Sequence, residues 1–157
     1  MSKSLKLIIS IIVCQAAGVI GSFFTRSSVD SWYSTINKPA FTPPGWLFAP
    51  VWITLYLMMG ISLYLVWQKS AEAKQFSRKA MLFFAIQLLL NTLWSILFFG
   101  LHSPLLGSIE IALLWLFILL TMIEFRKIAK TAFWLLVPYF LWVSFASVLT
   151  FSIWKLN

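Results

Sequence analysis

Residues 46–67 read WLFAPVWITLYLMMGISLYLVW, a stretch without one charged side chain. As an α-helix it would rise about 33 Å, enough to cross a hydrocarbon core roughly 30 Å thick. Its apolar residues are continuous rather than alternating, which argues against a strand of a membrane barrel. A helix also satisfies its own backbone polar groups, as lipid requires. Outward from this segment lie four similar runs: Leu5–Phe24, Ala80–Leu101, Leu105–Ile123 and Phe133–Trp154. The pattern predicts an all-α integral membrane bundle of five transmembrane helices. It forms one domain over residues 1–157, with a partly structured lid at 25–49 between the first and second spans.

Composition points the same way. The chain has 157 residues, 61% hydrophobic and 10% charged, whereas a soluble domain carries about 25% charged residues. A water-soluble globule is excluded, and so is a disordered chain, which needs low hydrophobicity. The first run, behind Lys3 and Lys6, resembles a signal peptide. It is longer than the usual apolar region, and no small-residue cleavage site follows cleanly, so it reads as an uncleaved span. One cysteine and one histidine leave no material for an internal disulfide, a zinc or iron–sulfur site, or a histidine cluster. No metal site is expected. Gly-rich phosphate loops, paired carboxylates and nucleophile elbows are missing as well.

The net charge of +8 would suggest nucleic acid in a soluble protein. Here the cations sit between apolar runs and set topology, so no nucleic-acid partner is expected. With five spans, one side holds Lys3, Lys6, Lys69, Lys74, Arg78, Lys79, Arg126, Lys127 and Lys130. The other holds Arg26, Lys38 and Lys155. This asymmetry predicts a cytoplasmic N-terminus and an outer C-terminus. The lid is then outside. It carries Trp32, Tyr33, Phe41, Trp46 and Phe48 among Pro39, Pro43 and Pro44, with Pro50 just beyond. Prolines stiffen it and stop it continuing as helix, while the aromatics need a surface to bury against.

Nine tryptophans can be read in two ways. Trp67, Trp134 and Trp154 lie near span ends and fit an interfacial belt. Trp46 and Trp52 straddle Pro50, and Trp94 and Trp142 lie inside spans, where an indole N–H wants a partner. Such rings near one end of a bundle could line a flat slot for a planar ligand. Gln87, Asn91 and Trp94 share a helix face. They serve either interhelical hydrogen bonding or as a polar anchor for a ligand. Glu110 is the acid well inside a run, a functional candidate by position, with snorkelling or an interhelical hydrogen bond as the alternative. His102 on the turn before Pro104 reads as a capping or solvated residue, with haem ligation or proton transfer as the alternative. Cys14 reads as inert packing, and Ala17 with Gly21 as a close-packing pair.

Five strings are familiar together: GSFFTR at 21–26, WYSTINKPAFTPPGW at 32–46, APVWITLYLMMGISLYLVW at 49–67, LLNTLWSILFFG at 89–100 and PYFLWVSFASVLTFSIWKLN at 138–157. They resemble the TspO/MBR family, the bacterial tryptophan-rich sensory proteins and the mitochondrial translocator protein or peripheral benzodiazepine receptor. The lid pattern WY…KP…F.PP.W and the PYxxWxxFA motif are specific, and the strings touch four spans and the lid. The resemblance implies a five-helix bundle, often a homodimer, with a pocket open toward the lid. The implied ligands are protoporphyrin IX or a related tetrapyrrole, not covalently bound, and synthetic benzodiazepine- and isoquinoline-type compounds. Carried over by position, the pocket residues are Trp32, Tyr33, Pro43, Pro44, Trp46, Ala49, Trp52, Tyr56, Asn91, Trp94, Phe98, Trp142, Phe145 and Ala146. Trp52 and Trp142 match the tryptophans associated with light-dependent porphyrin breakdown.

Two departures stand out. Leu149-Thr150 replaces the usual Leu-Asn, and Phe151 replaces the tyrosine of the sterol motif, so sterol binding through that motif is in doubt. The functions to weigh are a tetrapyrrole sensor or carrier, a photo-oxidative porphyrin-degrading activity using Trp52 and Trp142, and a structural modulator of another membrane protein. In the first, porphyrin carboxylates would meet the outer rim near Arg26 or Lys38. The expected location is the bacterial cytoplasmic membrane.

Overall fold

The computed structural model describes residues 1–157. The chain forms α1 (Lys3–Val29), the short α2 (Trp32–Thr35), a 3-10 turn at Gly45–Leu47, α3 (Phe48–Lys69), α4 (Lys74–Ser95) continued by a π turn at Ile96–Gly100, α5 (Pro104–Ile128) and α6 (Lys130–Leu156). Five of these helices are long and apolar enough to cross a membrane. The protein is an integral membrane protein of five spans, all-helical, in contact with a lipid bilayer.

Helices α1, α5 and α6 outrun the apolar stretches that announced them at both ends, and in α1 polar side chains near the end bond to their own helix. Thr25 Oγ1 donates to the Gly21 carbonyl at 3.2 Å and Ser27 Oγ to that of Phe24 at 3.0 Å. No proline lies between Thr25 and Lys38, so α1 continues to Val29 and shortens the lid to Asp30–Leu47. At the other face, the connection expected at 124–132 shrinks to Ala129, between α5 and α6. Starts are capped: Ser2 Oγ accepts from the Leu5 N–H at 3.2 Å, and Ser103 Oγ accepts from that of Leu106 at 3.3 Å, with Pro104 opening α5. These are the donors a helix leaves unpaired.

The helices close a ring in which α1 packs on α3 and α4, α3 on α6, α6 on α5, and α5 on α4. The sequential pair α3 and α4 barely touch. Small residues allow the close approaches. A Cβ at Gly60 would lie 2.8 Å from the Ile11 backbone, and one at Gly21 would lie 3.0 Å from Ser95 Oγ. The Gly21 contact is where the Ala17–Gly21 pair meets α4, and Thr92 Oγ1 donates to the Ala17 carbonyl there at 3.3 Å. Such contacts matter in lipid, where hydrophobicity does not drive helix association. The core half remote from the lid is filled by Met59, Leu114, Ile118, Phe125 and Leu136, all essentially buried. Toward the lid the packing opens.

Candidate functional site

The opening is a cavity of about 610 Å³ between α1, α3, α4 and α6, beneath the lid. Its floor is a chain of buried hydrogen bonds. Tyr56 OH donates to Asn91 Oδ1 at 2.8 Å, Asn91 Nδ2 donates to Tyr139 OH at 2.6 Å, and Tyr139 OH donates to Gln87 Oε1 at 2.8 Å. Three helices are tied together at one level. Gln87 and Asn91 therefore serve interhelical bonding. Each Asn91 group uses one of its two hydrogen-bonding positions in this chain, so an acceptor site and a donor remain on a residue that lines the cavity.

Aromatic faces make the walls. On α3, Trp52 and Tyr56 lie one turn apart with ring centroids 5.6 Å apart, and Trp52 meets the Tyr139 ring at 6.3 Å. On α4, Trp94 stacks on Phe98 at 5.2 Å, 12° from parallel. On α6, Trp142 is braced by Phe48 at 6.1 Å and Phe145 at 5.6 Å. Glycine makes room opposite: a Cβ at Gly18 would sit 2.6 Å from the Tyr56 ring. The indole N–H groups of Trp94 and Trp142 are buried and have no hydrogen-bond partner. Buried donors are normally paired, and these two are unspent on residues that line the cavity.

The lid is fastened at several points. Tyr33 is buried on Phe98 and Phe99 at 6.3 and 5.5 Å, and burial raises its phenol above the ordinary value, so it packs as a neutral ring. Lys38 turns inward: Nζ donates to the carbonyls of Tyr33 at 2.7 Å and Ile36 at 3.1 Å, and lies 4.8 Å from the Tyr33 ring centre. Asn37 and Asn157 clasp the lid to the end of α6. The Asn37 N–H donates to Asn157 Oδ1 at 3.0 Å, Asn37 Nδ2 to the Leu156 carbonyl at 3.3 Å, and Asn157 Nδ2 to the Asn37 carbonyl at 2.9 Å. Trp32 stacks on His102 at 4.8 Å and 9°. His102 has φ 52°, a left-handed conformation costly for a non-glycine residue. Its Nε2 lies 3.2 Å from Ser28 Oγ, whose own proton goes to the Phe99 carbonyl at 2.6 Å. The ring nitrogen is thus the donor to Ser28, and His102 serves as a strut under the lid.

These features agree with what sequence comparison finds. Residues 10–155 match the TspO/MBR family. The chain belongs to that family. It is 47% identical to the tryptophan-rich protein TspO of Chlorobaculum tepidum, over 98% of this chain and 96% of the relative. It is also 47% identical to the TspO of Archaeoglobus fulgidus, over 98% and 97%. The translocator protein of Ovis aries is 34% identical over 93% of this chain and 86% of its own.

Of the residues matched to the TspO/MBR pocket, Tyr33, Ala49, Trp52, Tyr56, Asn91, Trp94, Phe98, Trp142 and Ala146 line the cavity. Five others stand behind or beside it. Trp32 lies between His102 and Phe98. Phe145 packs on Phe41 and Trp142. Pro43 and Pro44 belong to the lid strand, and Trp46 is 73% exposed on the 3-10 turn. Arg26, expected at the rim, lines the cavity, but sequence reasoning missed the rest of that side, where Gln15 and Gly18 on α1 and Asp30 just past it line the cavity, and Thr150 on α6. The available signal was the small-residue pair Ala17–Gly21, since Gly21 and the neighbouring Gly18 both line the cavity. The other readings divide. Trp134 is 66% exposed, Cys14 is fully buried, and Trp67 and Trp154 lie under Lys6 and Lys155. Glu110 neither snorkels nor bonds across helices: it is buried and both oxygens lack partners.

Proposed function

We propose that this TspO/MBR protein binds tetrapyrroles of the protoporphyrin IX type and acts as a sensor or carrier. The observation that carries the reading is one cavity of about 610 Å³ beneath the lid whose aromatic walls include Trp52, Trp94 and Trp142. A broad flat ring system suits indole and phenyl faces such as the stacked pair Trp94 and Phe98. Apolar walls with few polar groups are the usual make-up of a ligand site. Of the two basic residues expected at the rim, Arg26 lines the cavity, whereas the Lys38 ammonium is spent on lid carbonyls. Arg26 is therefore the partner for porphyrin carboxylates. Benzodiazepine- and isoquinoline-type ligands, each with a carbonyl acceptor on an aromatic body, would use the same walls.

The test is protoporphyrin fluorescence titrated with purified protein in the dark. Saturable quenching or a spectral shift at micromolar protein is expected, and it should weaken in the double variant Trp94→Phe/Trp142→Phe. An unchanged spectrum at that concentration refutes the reading.

A second reading is favoured by Trp52 and Trp142 lining the same space. Bound porphyrin excited by light would activate oxygen beside two oxidisable indoles, and the protein would act by positioning. Illumination of parent and Trp52→Phe/Trp142→Phe, at equal bound porphyrin, tests it: equal degradation removes the roles of these residues. The orientation follows the charge asymmetry, N-terminus cytoplasmic and C-terminus outside in a bacterial cytoplasmic membrane, and the protein is proposed to work as a homodimer.

A further inference from the structure

Lysines and arginines crowd the end of the bundle remote from the lid, where the acids are Glu72 and Glu124. Glu72 is exposed on the turn between α3 and α4. Glu124 is buried near the end of α5 and holds two ammoniums from different helices on one oxygen. Its Oε1 is 2.9 Å from Lys127 Nζ and 3.4 Å from Lys79 Nζ. The start of α4 is thereby pinned to the end of α5. One carboxylate between two ammoniums leaves one positive charge unmatched. Each ammonium has three N–H donors, and Glu124 is the one acceptor that either lysine meets in the protein. The two side chains are 60% and 43% exposed, so the spare donors are open to the surroundings.

The two lysines are also steadied from the side. Lys79 Nζ lies over the Phe83 ring at 5.4 Å, and Lys127 Nζ over the Phe76 ring at 5.6 Å. A long side chain loses rotamer freedom on binding, and one held in place beforehand has less to lose. The depth of the pair selects its partner. Lys79 immediately precedes the apolar run that opens at Ala80, and Lys127 stands four residues past Ile123, where the next run closes. Both are therefore at the edge of the hydrocarbon, the level of lipid phosphates. An acidic segment of a soluble protein would have to push between headgroups to reach them. A zwitterionic lipid brings its own ammonium with its phosphate, so it leaves the excess charge unmatched. An anionic lipid cancels it. Arg78 and Arg126, each next in sequence to one of the pair, have no acid partner and add to the same field. The lid end has no such arrangement, since Lys38 is spent on carbonyls and Lys155 lies over Trp154 of its own helix.

We propose that Lys79 and Lys127, positioned by Glu124, bind the phosphodiester of an anionic phospholipid of the phosphatidylglycerol type. The site is remote from the cavity and rests neither on tetrapyrrole binding nor on which face of the membrane this end meets.

The experiment is native mass spectrometry of the full chain, released from mixed micelles holding equal phosphatidylglycerol and phosphatidylcholine of the same chain length. The parent should retain phosphatidylglycerol at least about fivefold over phosphatidylcholine, the scale of one surface cation. Lys79→Gln/Lys127→Gln should lose that preference, and Lys79→Arg/Lys127→Arg should keep it. Lys3→Gln/Lys69→Gln removes the same charge from the α1 and α3 side of the same end and should leave the preference intact. Equal retention of the two lipids by the parent overturns the proposal, and so does equal loss in the two glutamine pairs, which would mean a diffuse field without a site. Displacement of the lipid by millimolar glycerol phosphate overturns it too, since the site would then belong to a soluble phosphate. If Lys79→Gln/Lys127→Gln fails to fold, a headgroup-photoreactive phosphatidylglycerol on the parent decides: crosslinks on the peptides carrying Lys79 and Lys127 are expected, and crosslinks confined to other peptides refute the assignment.

Discussion

Removing the side chain of Asn157 should unfasten the lid in measurable steps. Asn157 makes two of the three hydrogen bonds that join the lid to the end of α6, donating to the Asn37 carbonyl at 2.9 Å and accepting from the Asn37 N–H at 3.0 Å. Asn37 supplies the third, from its side chain to the Leu156 carbonyl at 3.3 Å. All three are solvent-exposed, so each sits at the low end of the net range, about 0.5–1 kcal/mol. Asn157→Ala then favours lid opening by about 1–2 kcal/mol, and Asn37→Ala by about 0.5–1 kcal/mol. With a tenfold change for every 1.4 kcal/mol, ligand release should quicken by roughly 5–30-fold for Asn157→Ala and by roughly 2–5-fold for Asn37→Ala. The assay is stopped-flow dissociation of protoporphyrin chased by excess apo-protein, in the dark. The graded order, Asn157→Ala above Asn37→Ala above parent, is the signature. Equal off-rates in all three refute the reasoning. They would mean that ligand leaves sideways between α1 and α3, where Val19 and Ile53 both line the cavity and are exposed to lipid.

Three further outcomes follow from the site. Tyr139→Phe keeps the ring beside Trp52 but leaves Asn91 Nδ2 and Gln87 Oε1 without their partner. It should cost about 1–3 kcal/mol in SDS-induced unfolding, scaled to the bonds measured between helices in membranes; no change would show that the chain of hydrogen bonds under the cavity is not holding the helices. Gly18→Ala puts a methyl 2.6 Å from a Tyr56 ring whose hydroxyl is tied to Asn91. Overpacking of about 1–3 kcal/mol should lower the melting temperature and weaken porphyrin binding together. Arg26→Gln should weaken protoporphyrin but leave its dimethyl ester unaffected in the same titration; equal loss for both would remove the carboxylate contact.

The sequence made the five spans plain because unbroken apolar runs of that length have few other uses. It also set the character of the lid, since the prolines at 39, 43 and 44 break a helix there and the aromatics around them favour burial. One-turn spacing put Trp52 with Tyr56, and Trp142 with Ala146, on common faces. What it could not fix was which faces meet. In lipid a helix is apolar all round, so periodicity carries little of the inside–outside contrast that orients a soluble helix. Orientation comes instead from shape, from Gly18, Gly21 and Gly60 and from interhelical hydrogen bonds, and these are tertiary facts. Only the folded bundle separates α3 from its chain neighbour α4 to make the cavity, turns Lys38 away from it and Arg26 toward it, and joins Asn37 to Asn157 across 120 positions. The isolation of Glu110 is of the same kind: a carboxyl has no partner only with respect to everything packed around it.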